Sequence, residues 1–482
     1  MRVLFVAAEV TPFAKVGGLG DVLGALPKAL ARCGHDVRIV MPLYRQVPRQ
    51  GLFRHSIPLG VPTNFGEKWC AVSEGRLPDS EVPVYFLEHD DYYDRDGVYA
   101  DYGDGHRRYG LLSRGSLQLC RWLGWTPDVI HCNDWQTAVI PAWLNSIEAG
   151  SELGHCASVL TIHNLAHQGR YGTGVLHELS IAPDFYTHRG FEHHGSVNLL
   201  KGGIYHATLI TTVSPTYAHE IQTKRYGMEL EGVLQDRSPD LYGVLNGIDD
   251  EVWDPSSDPY LPARYSVDEP AGKATCKAAL QAEMGLPQRP DVPLVGIVCR
   301  LVAQKGIDAI IEALPDLLSQ DLQLVLLGRG DPNAERTFQR YAAMRPDRFT
   351  AVIDYNEPIA HRIEAGADLF LMPSMFEPCG LNQMYSMRYG TLPVVRATGG
   401  LDDTVVNCHE QAGDGTGFKL WHLSGDSIAR TVEWACSVYR GNPELFRAMQ
   451  DRAMRQDFSW RRAAGQFESL YQHAIARRHG FA

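Results

Sequence analysis

The stretch from Asp368 to Gly400 constrains the fold of this chain more tightly than any other. A short apolar run, Leu369 to Met372, reads as a buried strand and stops at Pro373. A loop from Ser374 to Cys379 carries Glu377 and leads into a predicted helix from Gly380 to Tyr389. A second apolar run, Leu392 to Val395, begins the next strand. In open α/β sheets, ligands bind beyond the carboxyl ends of the strands. Glu377, Cys379, Gly380 and Leu381 therefore stand where a ligand would stand. A loop glutamate is often only a solvated charge, and here the glycine and the helix N-terminus behind it, able to receive an anion, favour the ligand about equally.

The same unit recurs. Val3 to Ala8 reads as a strand, Leu19 to Ala31 has helical spacing, and Asp36 to Met41 is the next strand. The first turn carries Lys15-Val16-Gly17-Gly18-Leu19-Gly20-Asp21. A dinucleotide fingerprint counted from Gly18 and Gly20 would need a third glycine where Leu23 stands, so that reading fails. What remains is a glycine-rich turn whose backbone N–H groups could approach a phosphate, with Lys15 either beside them or merely exposed.

Farther along, the segment Asp90 to Tyr109 is dense in Asp, Tyr and Gly and reads as irregular. Its Asp94-Arg95-Asp96 lacks the context of a metal-dependent transferase; with Tyr93 the segment suits sugar rings or an ordinary surface loop. Strands Asp128–Cys132 and Ser158–Ile162 end in Asp134, Trp135, His163 and Asn164, with a helix predicted over Thr137–Ile147. No H-E-x-x-H or other metal spacing accompanies them. His163 could equally be a turn histidine bonded to the backbone. Tyr242–Leu245 leads to Asn246-Gly247, and Trp253–Pro270, with four prolines and no periodicity, is placed as the domain boundary.

The second half repeats the pattern: Pro293–Cys299, a helix over Ile307–Leu318, Gln323–Leu327, Phe349–Ile353 and a helix over Glu357–Glu364. The expected fold class is α/β, two doubly wound Rossmann-like halves facing a central cleft. Arg300 and Lys305 flank one tight loop; each alone is a good candidate for a solvated cation, and together with Lys15 they could neutralise a diphosphate. Tyr355 is placed to stack on a base. Apolar residues from Trp460 to Ala474 recur at helical spacing behind Ser459, a face seeking a partner.

At 482 residues the chain exceeds one ordinary core, and its hydrophobic fraction of 44% and charged fraction of 21% are those of a soluble globular protein. A formal net charge of −12 argues against nucleic-acid and anionic-membrane binding. Ten scattered cysteines without a C-x-x-C pair read as reduced thiols of a cytoplasmic protein. The start lacks the longer apolar core of a signal peptide.

Six motifs in order now carry a resemblance over essentially the whole length: Lys-Val-Gly-Gly-Leu-Gly-Asp-Val, Thr-Ile-His-Asn, Leu-Asn-Gly-Ile-Asp, Arg-Leu-x-x-Gln-Lys-Gly, Pro-Ser-x-Phe-Glu-Pro-Cys-Gly-Leu and Tyr-Gly-Thr-Leu-Pro-Val-Val-Arg-x-Thr-Gly-Gly-Leu-x-Asp-Thr-Val. The chain resembles bacterial glycogen synthases and plant starch synthases, retaining glucosyltransferases of the GT-B architecture. The resemblance implies ADP-glucose as donor, glycogen or a maltooligosaccharide as acceptor, and no metal or cofactor. It places Lys15, Gly18, Asp21, Asn246, Arg300, Lys305, Glu377, Gly380 and Leu381 at the donor, where Tyr355 is also expected from its strand-end position, with Glu377, Lys305, Arg300 and His163 in the catalytic set. Asp134, Trp135, Tyr93 and Asp94 fall on the acceptor side. Domains are expected at 1–250 and 251–456, with a helix over 457–482 returning to the first. The superfamily's second glutamate, eight residues after the first, is Tyr385 here, and Gln136 replaces the histidine common after Asp-Trp. Same-face attack is the expected mechanism, with Glu377 as covalent nucleophile its rival. A UDP-glucose enzyme or one with a small acceptor, a glycan phosphorylase and a non-catalytic glycan-binding protein are the competing readings.

Overall fold

The computed structural model describes residues 1–100, 102–409 and 411–480. The chain forms two compact units, Met1–Gly247 with Trp460–Ala482, and Ile248–Ser459.

The first unit is built on a ten-stranded sheet. Its main strands are β1 (Arg2–Val6), β2 (Asp36–Pro42), β3 (Lys68–Arg76), β4 (Pro83–Glu88), β5 (Val129–Asn133), β6 (Ala157–Ile162), β7 (Leu209–Thr212) and β8 (Leu241–Gly243). The order is β8-β7-β6-β5-β1-β2-β4-β3, continued by the short strand Phe53–Arg54, while Leu59–Val61 also pairs with β3. From β8 to β4 all pairs are parallel; β3 and its short partners are antiparallel. Both faces of a parallel sheet are covered, so its strands read as unbroken apolar runs. The chain reverses direction across the sheet between β1 and β5, where Val6 lies beside Cys132. That reversal opens a crevice at the carboxyl ends.

The helix Gly18–Arg32 buries Leu19, Val22, Leu23, Leu26 and Leu30 along one stripe. Against it and β6 packs the helix Trp460–Arg478, burying Trp460, Ala463, Ala464, Phe467, Tyr471 and Ala474. The Tyr471 hydroxyl lies 2.6 Å from His131 Nδ1, and Thr161 Oγ1 lies 2.5 Å from Nε2. Burial, with His163 nearby, pushes the His131 ring down to about 3, so the ring is neutral and joins the two hydroxyls as one donor and one acceptor.

Three local expectations are corrected. Instead of one helix over Thr137–Ile147 there are two short ones, Asp134–Thr137 and Ile140–Leu144. Pro141 supplies no N–H and disfavours helical backbone at the residue before it, so the chain restarts there. Second, Asp90–Tyr109 is not irregular throughout: it holds the turn Asp90–Tyr93 and the start of a helix Gly105–Trp122. That helix opens with charged residues, one of which, Arg108, is buried and donates to the Tyr92 and Val98 carbonyls. A buried guanidinium bonded to carbonyls is indistinguishable in sequence from a surface one.

The third correction concerns Trp253–Pro270. The change of unit falls at Gly247, and this segment packs inside the second unit. The Trp253 ring is stacked between His361 and Tyr385, with centroids 3.8 Å away on each side. Buried Asp258 accepts from the Tyr389 hydroxyl (2.6 Å) and pairs with His361 Nδ1 (2.7 Å). Prolines erase periodicity without lifting the chain off the core.

The second unit carries a wholly parallel sheet of β9 (Leu294–Val298), β10 (Gln323–Leu327), β11 (Phe349–Val352), β12 (Leu369–Met372), β13 (Leu392–Arg396) and β14 (Phe418–Leu420). Its order, β11-β10-β9-β12-β13-β14, is that of a Rossmann sheet. The reversal falls between β9 and β12, whose following loops hold Arg300 with Lys305 and Glu377 respectively.

Candidate active site

In the second unit the two loops at the reversal meet backbone to backbone. A short 3₁₀ turn, Ala303–Lys305, is followed by Gly306 at φ +73°, where a Cβ would come within 2.2 Å of the Pro373 carbonyl oxygen. Only glycine fits there on both counts. The Met375 amide donates to the Gln304 carbonyl at 2.8 Å, joining the loops again. Lys305 Nζ thereby lies 2.6 Å from Glu377 Oε2, and the Ser374 hydroxyl donates to the same oxygen at 2.9 Å. The Glu377 side chain is only 8% exposed, so this carboxylate is held as an ion pair largely out of water.

The Thr398-Gly399-Gly400 run after β13 supports the same loop from behind. Gly400 N–H donates to the Glu377 carbonyl at 3.1 Å, and a Cβ on Gly399 would lie 2.0 Å from that oxygen. Buried Arg396 donates to the Ser374 and Met375 carbonyls. Arg300, at the end of β9, is exposed, and its guanidinium has no hydrogen-bond partner among the described residues. The amides of Gly380 and Leu381 likewise donate to nothing among the described residues. Tyr355 is 67% exposed just beyond β11. A ring open to solvent at a strand end suits stacking on a flat ligand.

In the first unit β5 and β6 bring Asp134 and His163 together. Asp134 has φ +53°, unusual for a residue with a side chain, and its Oδ1 accepts the His163 amide at 2.7 Å and the Asn164 amide at 3.5 Å. Burial raises its carboxyl to about 7, the two amides opposing and the nearby Glu9 charge adding. The His163 ring contacts Asn133 Oδ1 through Nε2 at 2.9 Å, and Asn133 Nδ2 donates to Val6 and His131 carbonyls, which settles the orientation of that amide. His163 Nε2 is therefore the donor and Nδ1 the acceptor. Burial holds the ring down to about 3, so it is a neutral hydrogen-bonding group and carries no cation. Trp135 lies against Tyr109 and Tyr171, edge-on and tilted. Lys15 is half exposed and paired with Asp21 at 2.6 Å; Gly18 opens the helix with nothing within 4 Å of where a Cβ would be. Asn246 is buried just past β8.

One acceptor-side expectation does not survive. Tyr93 is fully buried, its hydroxyl donating to the Arg108 carbonyl at 2.9 Å, so it offers no face to a sugar. Asp94 is bound to Arg45 at 2.8 Å on the surface. Sequence reasoning missed Glu9, Ser374 and Arg396. Glu9 alone left a signal, a carboxylate directly after an apolar strand. Among the described residues one cluster, His193, His194 and Glu229, has the donor types of a metal site. Its carboxylate is paired with Arg170 at 2.7 Å, and His193 Nδ1 lies 3.5 Å from the Asn198 amide nitrogen.

Residues 2–236 match the family model described as starch synthase catalytic domain, and residues 285–437 that described as glycosyl transferases group 1. Glycogen synthase 1 of Geobacter metallireducens is 48% identical over 100% of this chain and 97% of its own length. Glycogen synthase of an Anaeromyxobacter species is also 48% identical, over 99% of this chain and all of its own. The catalytic domain of starch synthase IV from Arabidopsis thaliana, solved bound to ADP and acarbose, superposes with a TM-score of 0.91 at 34% identity, covering 98% of this chain and 99% of that one. Full-length likeness at this level, on top of the motifs and the two Rossmann-like sheets, shows that the chain belongs to the glycogen synthase and starch synthase family of glucosyltransferases.

Proposed function

We propose that this chain transfers glucose from ADP-glucose to the non-reducing end of an α-1,4-glucan with retained configuration. One observation carries the reading: a lysine–glutamate pair and an unpartnered arginine stand together at the reversal point of a Rossmann sheet. Arg300 and Lys305 grip the departing diphosphate, with the Gly380 and Leu381 amides; Lys15 and Gly18 also bear on it, and Asp21 orients Lys15. Glu377, with one oxygen held, offers the other to the donor glucose hydroxyls; neutral His163 and Asn246 line the sugar, and Tyr355 stacks on the base. Asp134 acts by holding the His163 loop, and Trp135 serves the acceptor.

The magnitudes suffice. A unit charge pair in contact contributes ~4 kcal/mol at an effective dielectric of 20, and each 1.36 kcal/mol is about tenfold in rate. Two cations bearing on a leaving diphosphate thus supply several decades. A retaining enzyme with a covalent intermediate needs a carboxylate free to attack. Glu377 is charge-paired with Lys305 and accepts from Ser374, which favours same-face attack, the leaving phosphate oxygen taking the acceptor's proton. The ten cysteines are free, and no helix among the described residues is long and apolar enough to cross a membrane. A reducing cytoplasm accords with both.

Labelled ADP-glucose and UDP-glucose, each offered with glycogen, test the reading. Incorporation from ADP-glucose in large excess is expected; preference for UDP-glucose, or none from either donor, would overturn it. Mass spectrometry that found a glycosyl adduct on Glu377 would replace same-face attack by the covalent route.

A further inference from the structure

We infer that Glu9 is the positioning residue of the donor-phosphate loop: it takes up the Val16 and Gly17 amides so that Gly18 and Leu19 face the anion. The inference rests on the reading of Lys15 and Gly18 as donor ligands.

Glu9 lies just beyond β1 and is 2% exposed. A carboxylate that deep must be satisfied, and no cation among the described residues does it. Oε2 accepts both the Val16 amide and the Gly17 amide, at 2.5 and 2.9 Å, and Oε1 accepts the Tyr99 hydroxyl. At its glycines the loop has little else to hold it. Cβ atoms at Gly17 and Gly18 would meet nothing within 4 Å, so packing does not shape this stretch. The other ties lie on either side of it: Val10 and Ala14 exchange two backbone hydrogen bonds (3.0 and 2.9 Å), the Thr11 amide donates to the Gly20 carbonyl at 3.0 Å, the Gly20 amide donates to the Gly17 carbonyl at 3.1 Å, and Lys15 pairs with Asp21. A glycine-rich run left to itself loses much conformational entropy on ordering, and Glu9 does that ordering before any ligand arrives.

The sequence alone offered every amide of the glycine-rich turn to a phosphate. The structure removes Val16 and Gly17 from that set. Gly18 and Leu19, in the first turn of the helix, donate to no acceptor among the described residues, and Gly17 caps the helix without a side chain. These are the orphan donors at the positive end of the helix dipole, and Lys15, fixed by Asp21, stands beside them. Negative charge on Glu9 opposes an incoming diphosphate, so its contribution is reach and geometry. A glutamine would serve as well: its oxygen accepts both amides and its NH₂ donates to the Tyr99 oxygen.

Two substitutions in the full chain separate reach from charge. Glu9→Gln keeps reach without charge; Glu9→Asp keeps charge but is one carbon short. ADP binding by calorimetry and KM for ADP-glucose and for glycogen are measured in both. Expected are ADP affinity and donor KM within about threefold of the parent for Glu9→Gln, against a loss of about tenfold or more for Glu9→Asp with the glycogen KM unmoved. Tyr99→Phe, which removes only the Oε1 partner, should fall between them. Equal losses in both variants, no loss in either, or a loss confined to Glu9→Gln overturns the positioning role. A parent protein that binds no ADP sinks the donor-site reading itself, a different failure.

Discussion

At the scale of single residues, this site is organised by carboxylates that serve the backbone. Asp134 and Glu9, beyond the adjacent strands β5 and β1, each bind two amides of a neighbouring loop. Asp134 makes a pH prediction with a definite sign. Its folded carboxyl is raised to about 7 by burial, above the unfolded value near 3.9. The folded state therefore binds the extra proton between those values, and stability from this group, complete below about pH 4, is lost as pH rises through about 7. Asp134→Asn keeps the acceptor oxygen and tolerates the positive φ. Its stability relative to the parent should climb by on the order of 3 kcal/mol from pH 4 to pH 8, measured by urea unfolding at each pH. A flat difference would show that the carboxyl is not raised. The neutral histidines, His131 and His163, act oppositely in acid in both proteins and cancel from the comparison. Lys305→Ala should lower kcat by about 100-fold or more, as loss of a transition-state charge contact does, and it should also lower the thermal midpoint, because the buried Glu377 carboxylate keeps only the Ser374 hydroxyl. An unchanged kcat refutes its role.

Among the elements, Trp253–Pro270 shows how a segment without periodicity becomes part of a core. The Trp253 ring joins this segment to His361 and to Tyr385 on the helix Asn382–Arg388, directly behind the Glu377 loop. Arg388 is paired with Asp254 at 2.7 Å, a second tie to the same helix. Tyr385 thus supplies a stacking face where the wider superfamily carries a carboxylate. Truncation of the partly buried tryptophan, Trp253→Ala, should destabilise the second unit by roughly 2–4 kcal/mol, read as a lower urea midpoint. Tyr385→Phe, which keeps the stacked ring, should cost clearly less. If Tyr385→Phe cost as much as Trp253→Ala, the stack would not be what holds the helix.

For the molecule as a whole, chain order and unit membership disagree at one place. The first unit is completed by a helix that comes last in sequence, and where the chain leaves and re-enters it Gly247 and Trp460 touch: a Cβ on Gly247 would lie 2.7 Å from Trp460 N. Within the second unit the Ile248 amide donates to the Phe458 carbonyl at 2.8 Å, so its own ends also lie side by side. Excising 248–459 and joining Gly247 to Trp460 through a short glycine linker should therefore yield a folded first unit. Omitting 460–482 as well should leave it unfolded, because Tyr471 and the apolar stripe around it would be missing from the core. Circular dichroism and cooperative unfolding of the two fragments decide it.

Much was legible along the chain because it is local. Apolar runs of strand length, helical spacing between them and glycines at strand ends follow from backbone geometry and from burial on both faces of a parallel sheet, so the Rossmann halves, Lys305, Glu377 and the meeting of Asp134 with His163 could all be read in order. What needed the folded chain is the satisfaction of buried polar groups. Whether Arg108 and Tyr93 face water or carbonyls, whether Glu9 holds a loop, and whether a proline-rich segment links or packs depend on partners distant in sequence, and hydrogen bonding in a low-dielectric interior is settled only when those partners arrive together.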